Sequence, residues 1–436
     1  YCQQIPLQTT NMSNDIASLE MQAEKAAAAG QREAAFKAWE RILDLDPGHI
    51  PTLTNLGRFS LRSGDLVYAK RAFQRVIDLD GRDSQQWVNL ALACKGLHDE
   101  SGEEAAIKGA LTADPMDLLA LLMRGTLLEQ QGKKQKAAAA FGAAVAVSPP
   151  AERLHPDLLP AVQYAFQFKR EYDAEFGKFL DGYLAPHLDT HQGENLKRFR
   201  DSVDMMVGRK RRFDSQSMMH HYPGLAPIEF FERSDFPWLD AFEASTDAIR
   251  DEFLGVLADE KGFVPYITCP NDVPLNQWAQ LNNSPDWSAY HLIKQGTRID
   301  AHAQKCPATM TLLEAAPQPN QPGRTPAAMF SLLKPKTSIP PHTGVSNVRL
   351  VTHLPLIVPP GCGFRVGNET REWVPGKAWV FDDTIEHEAW NRSDQLRVVL
   401  IFDIWHPHLS QAERNMITAL AGAVTAFTGE AGGYDA

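Results

Sequence analysis

Asp46-Pro47, Asp80-Gly81, Asp114-Pro115 and Ser148-Pro149 punctuate the first third of the chain, each 34 residues after the one before. This spacing decides the fold of that third. Gly30, Gly64 and Gly132 keep the same period, with His98 in the remaining slot. So do the small residues Ala35, Ala69 and Ala137, the aromatics Trp39, Phe73 and Phe141, and the pairs Leu56-Gly57 and Leu90-Ala91. Small side chains let two helices approach closely, and aromatics fill the gap to the next helix. Pro ends a helix because its ring and missing N–H interrupt the hydrogen-bond ladder. One helix pair cannot bury its own apolar face, so such units must stack. The spacing predicts about three and a half to four helix–turn–helix units over residues 14–150.

This unit resembles the tetratricopeptide repeat. The resemblance implies an all-α solenoid with a groove that takes a protein partner. Residues 1–13 are expected to be disordered or non-native, since Tyr1-Cys2-Gln3-Gln4 lacks an initiator Met and Met12 stands just before the first helical pattern.

Composition bounds the rest. The chain has 436 residues, enough for two or three domains at about 100–200 residues each. Apolar residues make up 44% and charged residues 22%, which excludes a disordered or fibrous chain. A net charge of -11, from 54 acidic and 43 basic residues, leaves no basic footprint, so nucleic acid is not the expected partner. The five cysteines Cys2, Cys94, Cys269, Cys306 and Cys362 are scattered and form no CxxC. They read as reduced thiols and suggest a cytoplasmic location. The longest apolar run, Ala137 to Val147, is 11 residues. A membrane span needs about 18, so none is expected.

Residues 151–214 read as a helical linker, helical and amphipathic over 158–187. Its basic cluster Lys210-Arg211-Arg212 reads as a solvated loop rather than a polyanion site. Beyond it the pattern turns to β. Phe330 to Leu333, Arg349 to Ile357, Gly363 to Val366, Ala378 to Phe381 and Leu396 to Trp405 are short stretches rich in β-branched and aromatic residues. Turns separate them, which predicts an antiparallel sandwich or barrel. Asn282 to Pro285 and Pro317 to Pro326 read as irregular surface loops.

Three histidines mark the β-rich half: His342, His353 and His387. His342 and His387 lie 45 residues apart, each at the edge of a predicted strand. Two imidazoles from neighbouring strands are a usual way to hold iron with open positions. Arg397 falls ten residues after His387, inside an apolar strand. A guanidinium pointing into a barrel needs an anion, and a carboxylate fits its fork.

His342 to Leu356, Gly376-Lys377 with Phe381-Asp382-Asp383, His387 to Asn391 and Asp403 to Pro407 carry a resemblance to the aspartyl/asparaginyl β-hydroxylases. It covers roughly residues 215–412. It implies an α + β multidomain chain: the repeat solenoid, then a double-stranded β-helix of jelly-roll or cupin type over 215–412, then a C-terminal helix and tail over 413–436. It implies an oxygenase using Fe(II), 2-oxoglutarate and O2, acting on a peptide or protein substrate. By position, His342 and His387 would be the metal ligands. Arg397 and Ser331 would bind the distal carboxylate of 2-oxoglutarate, with His353 near its chelating end. Arg349 would hold a substrate or cosubstrate carboxylate, and Asp383 would act beside the metal. In most 2-oxoglutarate oxygenases a carboxylate stands two residues after the first His. Here that residue is Gly344, leaving two protein ligands. The related lipid A hydroxylases carry an acidic residue there, so Gly344 favours a peptide hydroxylase. The animal enzymes carry an Arg where this chain has Val351, so their mode of substrate recognition does not transfer. A non-catalytic repeat scaffold with a degenerate barrel, and a hydroxylase of lipids or small molecules, are the competing readings.

Overall fold

The computed structural model describes residues 7–259, 261–270, 272, 274–321 and 323–429. The chain folds as two compact units, Tyr1–Gly208 and Arg209–Ala436.

In the first unit, helices pair as hairpins: α1 (Leu7–Ala28) with α2 (Arg32–Leu45), α3 (Ile50–Ser63) with α4 (Leu66–Leu79), α5 (Ser84–Gly96) with α6 (Glu100–Ala113), and α7 (Leu118–Gln130) with α8 (Lys134–Val147). The predicted period is thus a period of helix pairs. Helix α1 starts at Leu7, inside the segment 1–13 that was expected to be disordered or non-native. Neither Pro nor Gly occurs between Leu7 and Ala28, so nothing stops the helix from propagating backwards from its packed turns. Residues 1–6 lie outside the described residues. Gly57 shows why a small residue recurs: a Cβ there would lie 2.7 Å from the Phe73 ring. Gly30, Gly64 and Gly132 adopt φ of +71°, +87° and +71° at the turn between paired helices, and His98 adopts +58° in the equivalent place. The register therefore extends to backbone conformation. A second period escaped the sequence reading. Asp65 and Asp99, like Asp83 and Asp117, are spaced 34 apart, and each caps a helix by accepting a backbone N–H. The long helix α9 (Leu159–Asp189) follows, and its Tyr164 and Phe168 close over Phe141 at ring distances of 5.8 and 5.0 Å. Part of the expected linker thus caps the stack.

In the second unit the strands are β1 (Val264–Pro265), β2 (Trp287–Lys294), β3 (Thr297–Arg298), β4 (Ala328–Leu333), β5 (Thr337–His342), β6 (Arg349–Ile357), β7 (Cys362–Val366), β8 (Glu369–Arg371), β9 (Trp379–Phe381), β10 (His387–Asn391) and β11 (Arg397–Trp405). Among the described residues they form two antiparallel sheets, one ordered β1-β2-β4-β11-β6-β9 with β3 beside β2, the other β5-β10-β7-β8. One face of the larger sheet packs Phe330, Leu354 and Phe402 against Phe242 and Phe253 of helices Leu239–Ala244 and Thr246–Ala258. Its other face packs Val351, Phe381 and Val399 against Ile339, Phe364 and Ala389 of the smaller sheet. This second interior holds the site.

One loop departs from expectation. Pro317 to Pro326 is not all surface: Gln321, Arg324 and Thr325 are buried. Arg324 donates to the Ala421 carbonyl of the C-terminal helix Gln411–Thr428 at 2.9 Å, which pins the loop inward. The basic cluster is absorbed by local ion pairs, Arg211 with Glu386 and Arg212 with Asp214.

Candidate active site

His342 ends β5 and His387 begins β10, and the two residues are directly paired in the antiparallel register. Residues opposite one another share a face, so both rings project together. Their centroids lie 4.0 Å apart. Pro340 and Pro341 precede His342 in its strand, which is possible because β5 is an edge strand bonded on one side. Each ring is locked from behind. His342 Nδ1 lies 2.8 Å from the Pro340 carbonyl oxygen and His387 Nδ1 lies 3.0 Å from that of Ile385. A carbonyl only accepts, so Nδ1 carries the proton and Nε2 keeps its lone pair. Burial and mutual repulsion push His342 down to about 3, and burial pushes His387 down to about 4, so both rings are neutral.

Gly344 follows within the same cavity of about 120 Å³. Its N–H donates to the Asp383 carbonyl at 2.6 Å. The Asp383 carboxylate fills the space beside it: a Cβ on residue 344 would lie 2.6 Å from Oδ1 and closer still to Oδ2. Asp383 Oδ2 pairs with Arg349 at 3.0 Å, and Oδ1 is buried without a partner. Burial raises the Asp383 pKa against the pull of Arg349 and His342. Arg349 also pairs with Asp403 at 3.1 Å. Burial alone would weaken its charge, but the two carboxylates outweigh that and raise its pKa. Arg349, for which the resemblance implies a part in holding a substrate or cosubstrate carboxylate, is thus held by two acids of the chain itself.

Arg397 behaves differently. It is 2% exposed, and among the described residues it has no carboxylate partner. Its Nη1 reaches the hydroxyl and carbonyl oxygen of Ser331, each at 3.2 Å, and its Nε is unsatisfied. Its guanidinium carbon stands 4.9 Å from the Trp373 ring. Burial lowers its pKa to about 10. A cation so placed is completed by an anion. His353, on β6, is buried and held neutral by burial and by Arg397. The Trp373 indole N–H points to its Nδ1 at 3.4 Å. That leaves the proton on Nε2, which makes Nε2 a donor.

The structure therefore brings His342, His387, Asp383, Gly344, Arg349, His353, Ser331 and Arg397 to one cavity. Among the described residues no three His, Cys, Asp or Glu side chains form a metal-holding group, so the imidazole pair stands with Asp383 behind it. Sequence reasoning missed Asp403, Trp278 and Trp373. Asp403 was recoverable, because Arg397, Val399, Ile401 and Asp403 alternate along β11 and share a face. Trp278 edges the His342 ring at 5.0 Å. It ends a single 3-10 turn, Asn276–Trp278, too short to leave a periodic pattern.

The family described as Aspartyl/Asparaginyl beta-hydroxylase matches residues 243–407. The ornithine lipid ester-linked acyl 2-hydroxylase of Rhizobium tropici is 32% identical over 201 residues, 45% of this chain and 68% of its own. The chain belongs to the aspartyl/asparaginyl beta-hydroxylase family. Within the family, the human aspartyl/asparaginyl beta-hydroxylase is 36% identical over 181 residues, 41% of this chain. The match spans only 22% of that enzyme's length. Human aspartate beta-hydroxylase domain-containing protein 2 is 30% identical, over 45% of this chain and 52% of its own. Among solved structures, MamA is 18% identical, covering 40% of this chain and 96% of its own with a TM-score of 0.33.

Proposed function

We propose that the chain is an Fe(II)- and 2-oxoglutarate-dependent hydroxylase of Asp or Asn β-carbons in a peptide or protein, with the repeats recruiting a protein. One observation carries this: in a single cavity, two neutral imidazoles with free Nε2 atoms accompany a buried guanidinium that lacks a counter-anion. The donor set fits the cosubstrate and the metal. Locked Nδ1 atoms make each Nε2 a ligand of fixed aim, the usual device in metal-binding histidines. The unsatisfied Nε of Arg397 fits one end of a dicarboxylate.

When bound, iron(II) with 2-oxoglutarate and O2 supplies the oxidising power that puts oxygen into a C–H bond and leaves succinate and CO2. The chain does the holding. His342 and His387 would ligate the metal through Nε2. Arg397 and Ser331 would bind the far carboxylate of 2-oxoglutarate, fixing its length and direction. His353 Nε2–H would donate to its near end. Asp383 Oδ1 would accept a proton donor beside the metal, such as a bound water, and Arg349 would keep that carboxylate ionised and in place. Trp278 and Trp287 line the cavity beside His342, and apolar walls that displace water strengthen the charges they surround.

Among the described residues Cys94, Cys269, Cys306 and Cys362 are free thiols, and no helix is long and apolar enough to cross a membrane. A cytoplasmic location fits the free thiols.

The test is succinate formation from 2-oxoglutarate with Fe(II) and ascorbate, for wild type and His342→Ala. Turnover that vanishes in the variant supports the oxygenase. No turnover together with no binding of a 2-oxoglutarate analogue sinks it and leaves the repeats as the functional part. The lipid reading has one observation in its favour, the name of the Rhizobium relative. Asp- and Asn-containing peptides set against acyl substrates in the same assay separate the two.

A further inference from the structure

Among the described residues three arginines are buried, Arg324, Arg349 and Arg397, and all three line the cavity of the histidines. Arg349 is held by Asp383 and Asp403. Arg397, beside Ser331, is the proposed seat of the far carboxylate of 2-oxoglutarate. Arg324 has neither role. It is 7% exposed, and its Nη1 donates to the Ala421 carbonyl oxygen at 2.9 Å and to the Thr425 hydroxyl at 3.3 Å. Both partners are neutral oxygens, so they orient the guanidinium without cancelling its charge. Among the described residues no carboxylate is paired with Arg324. A buried cation of this kind is completed by an anion.

The register puts Arg324 at the opposite end of the cavity from Arg397. Arg397 begins β11 and pairs with Leu333. Asp403 lies six residues further along the same strand, which separates their Cα atoms by about 20 Å. There Asp403 is tied to Ala327 twice. Its Oδ2 accepts the Ala327 N–H at 2.8 Å, and its own N–H donates to the Ala327 carbonyl at 3.0 Å. Ala327 follows Arg324 by three residues, so the loop that carries Arg324 is fastened to this end. Lys294 lines the same end, because its neighbour Ile293 pairs with Ala328. Between the two ends the cavity face carries the uncharged Met329 and Ile401, which are paired across β4 and β11. 2-Oxoglutarate seated on Arg397 is much shorter than this span and leaves the Arg324 end to the substrate.

We propose that Arg324 determines substrate specificity: its guanidinium receives the carboxylate of the side chain to be hydroxylated, with Lys294 adding positive charge beside it, so the substrate residue is Asp rather than Asn. The proposal rests on the hydroxylase reading and deepens it. A guanidinium only donates hydrogen bonds. A carboxylate offers it two acceptor oxygens and a full opposing charge. A carboxamide offers one acceptor and turns an NH2 group toward donors. A site built around a buried polar group rejects the analogue that leaves that group unpaired. An acyl chain would likewise leave Arg324 without an anion.

The test uses the full-length protein loaded with Mn(II) and the unreactive analogue N-oxalylglycine. Short peptides identical but for a central Asp or Asn are compared by binding, and by kcat/KM with Fe(II) and 2-oxoglutarate. The wild type should favour the Asp member by at least about tenfold, and Arg324→Gln should bring the two close to parity. Thr425→Val removes one helix contact of Arg324 but keeps the cation, so it should leave the Asp-to-Asn ratio unchanged. A merely structural Arg324 predicts instead that Thr425→Val and Arg324→Gln weaken both peptides alike. Circular dichroism checks the fold of each variant. Should Arg324→Gln not fold, Lys294→Gln, which leaves the helix contacts intact, must lower the ratio, and an unchanged ratio overturns the proposal. Equal treatment of Asp and Asn by the wild type, or an Asp preference that survives Arg324→Gln, also overturns it while leaving the hydroxylase reading in place. Turnover of acyl substrates with neither peptide bound has the same effect. A wild type that does not bind N-oxalylglycine, read by calorimetry before any peptide is added, overturns the hydroxylase reading itself and this proposal with it.

Discussion

The carboxylate of Asp383 occupies the volume that a side chain on Gly344 would need, and the two residues are also joined by a backbone hydrogen bond of 2.6 Å. A carboxylate is present at the site, then, but it arrives from the loop before β10 and not from the strand that carries His342. The absence of a side chain at 344 is what admits it.

Two variants test this exchange. Gly344→Asp alone should lose Mn(II)- or Fe(II)-dependent thermal stabilisation and at least tenfold in turnover, since overpacking typically costs about 1–3 kcal/mol. Combining Gly344→Asp with Asp383→Gly removes the clash and should recover metal binding, read by thermal shift. If the double variant binds metal no better than the single one, the two positions are not exchangeable.

Arg397 supplies a second prediction. A buried guanidinium without an anion stabilises the ligand-free fold little, so Arg397→Met should leave the unfolding free energy unchanged or raise it by about 1–2 kcal/mol at most, read as an unchanged or higher melting temperature. The same change should abolish binding of a 2-oxoglutarate analogue, measured by calorimetry. A large loss of stability on substitution would mean that the guanidinium is paired in a way the cavity does not show.

Acid should weaken the metal-free protein. The imidazoles of His342, His387 and His406 are lowered from 6.5 to about 3, 4 and 4, and that of His353 is also held well below its ordinary value, burial being the chief cause in each. Between about pH 4 and 6.5 the unfolded chain binds these protons and the fold does not, so stability drops as pH falls, by about 1.4 kcal/mol per unit for each group. Asp382, raised to about 7 by burial, and Asp383, also raised, act in the opposite sense. Four groups outweigh two. In chelator-treated protein the urea midpoint should therefore be lower at pH 5.5 than at pH 7, and His406→Gln should shrink the difference. A midpoint that rises on acidification would contradict this.

His98 holds the left-handed turn that its counterparts fill with Gly. Gly adopts this conformation without a Cβ penalty. His98→Gly should raise the stability of the repeats by about 1 kcal/mol in chemical denaturation. No gain would mean that the exposed imidazole is stabilised by something other than its backbone.

Much of this was legible in the chain, for physical reasons that differ between the halves. The repeats were readable because the close approach of Gly57 to Phe73 recurs with every helix pair, so packing leaves a periodic trace. Strands β6 and β11 were readable because both faces are buried and most of their residues are apolar or β-branched. Strand β5 was hidden by Pro340-Pro341, tolerated only because the strand is an edge, and β10 by its alternation of large polar and apolar residues. At the site, Arg397 could be named from its place in the apolar strand β11, and His342 and His387 from their residue type and the family resemblance of the segments that carry them. The engagement of Arg349 with two carboxylates could not, because Asp383 and Asp403 come from different elements and meet it only through folding.

The backs of the two histidine rings are tied to the carbonyls of Pro340 and Ile385, each two residues upstream. These ties lie within the chain itself and use Nδ1, leaving Nε2 of each ring clear. The aim of both rings is thus set by the backbone that carries them, unlike small zinc domains that fold only when loaded. The protein should consequently behave as a rechargeable holder. On the proposed iron-dependent reading, the metal should be removable and replaceable by another divalent ion with the fold intact, read by circular dichroism before and after chelation.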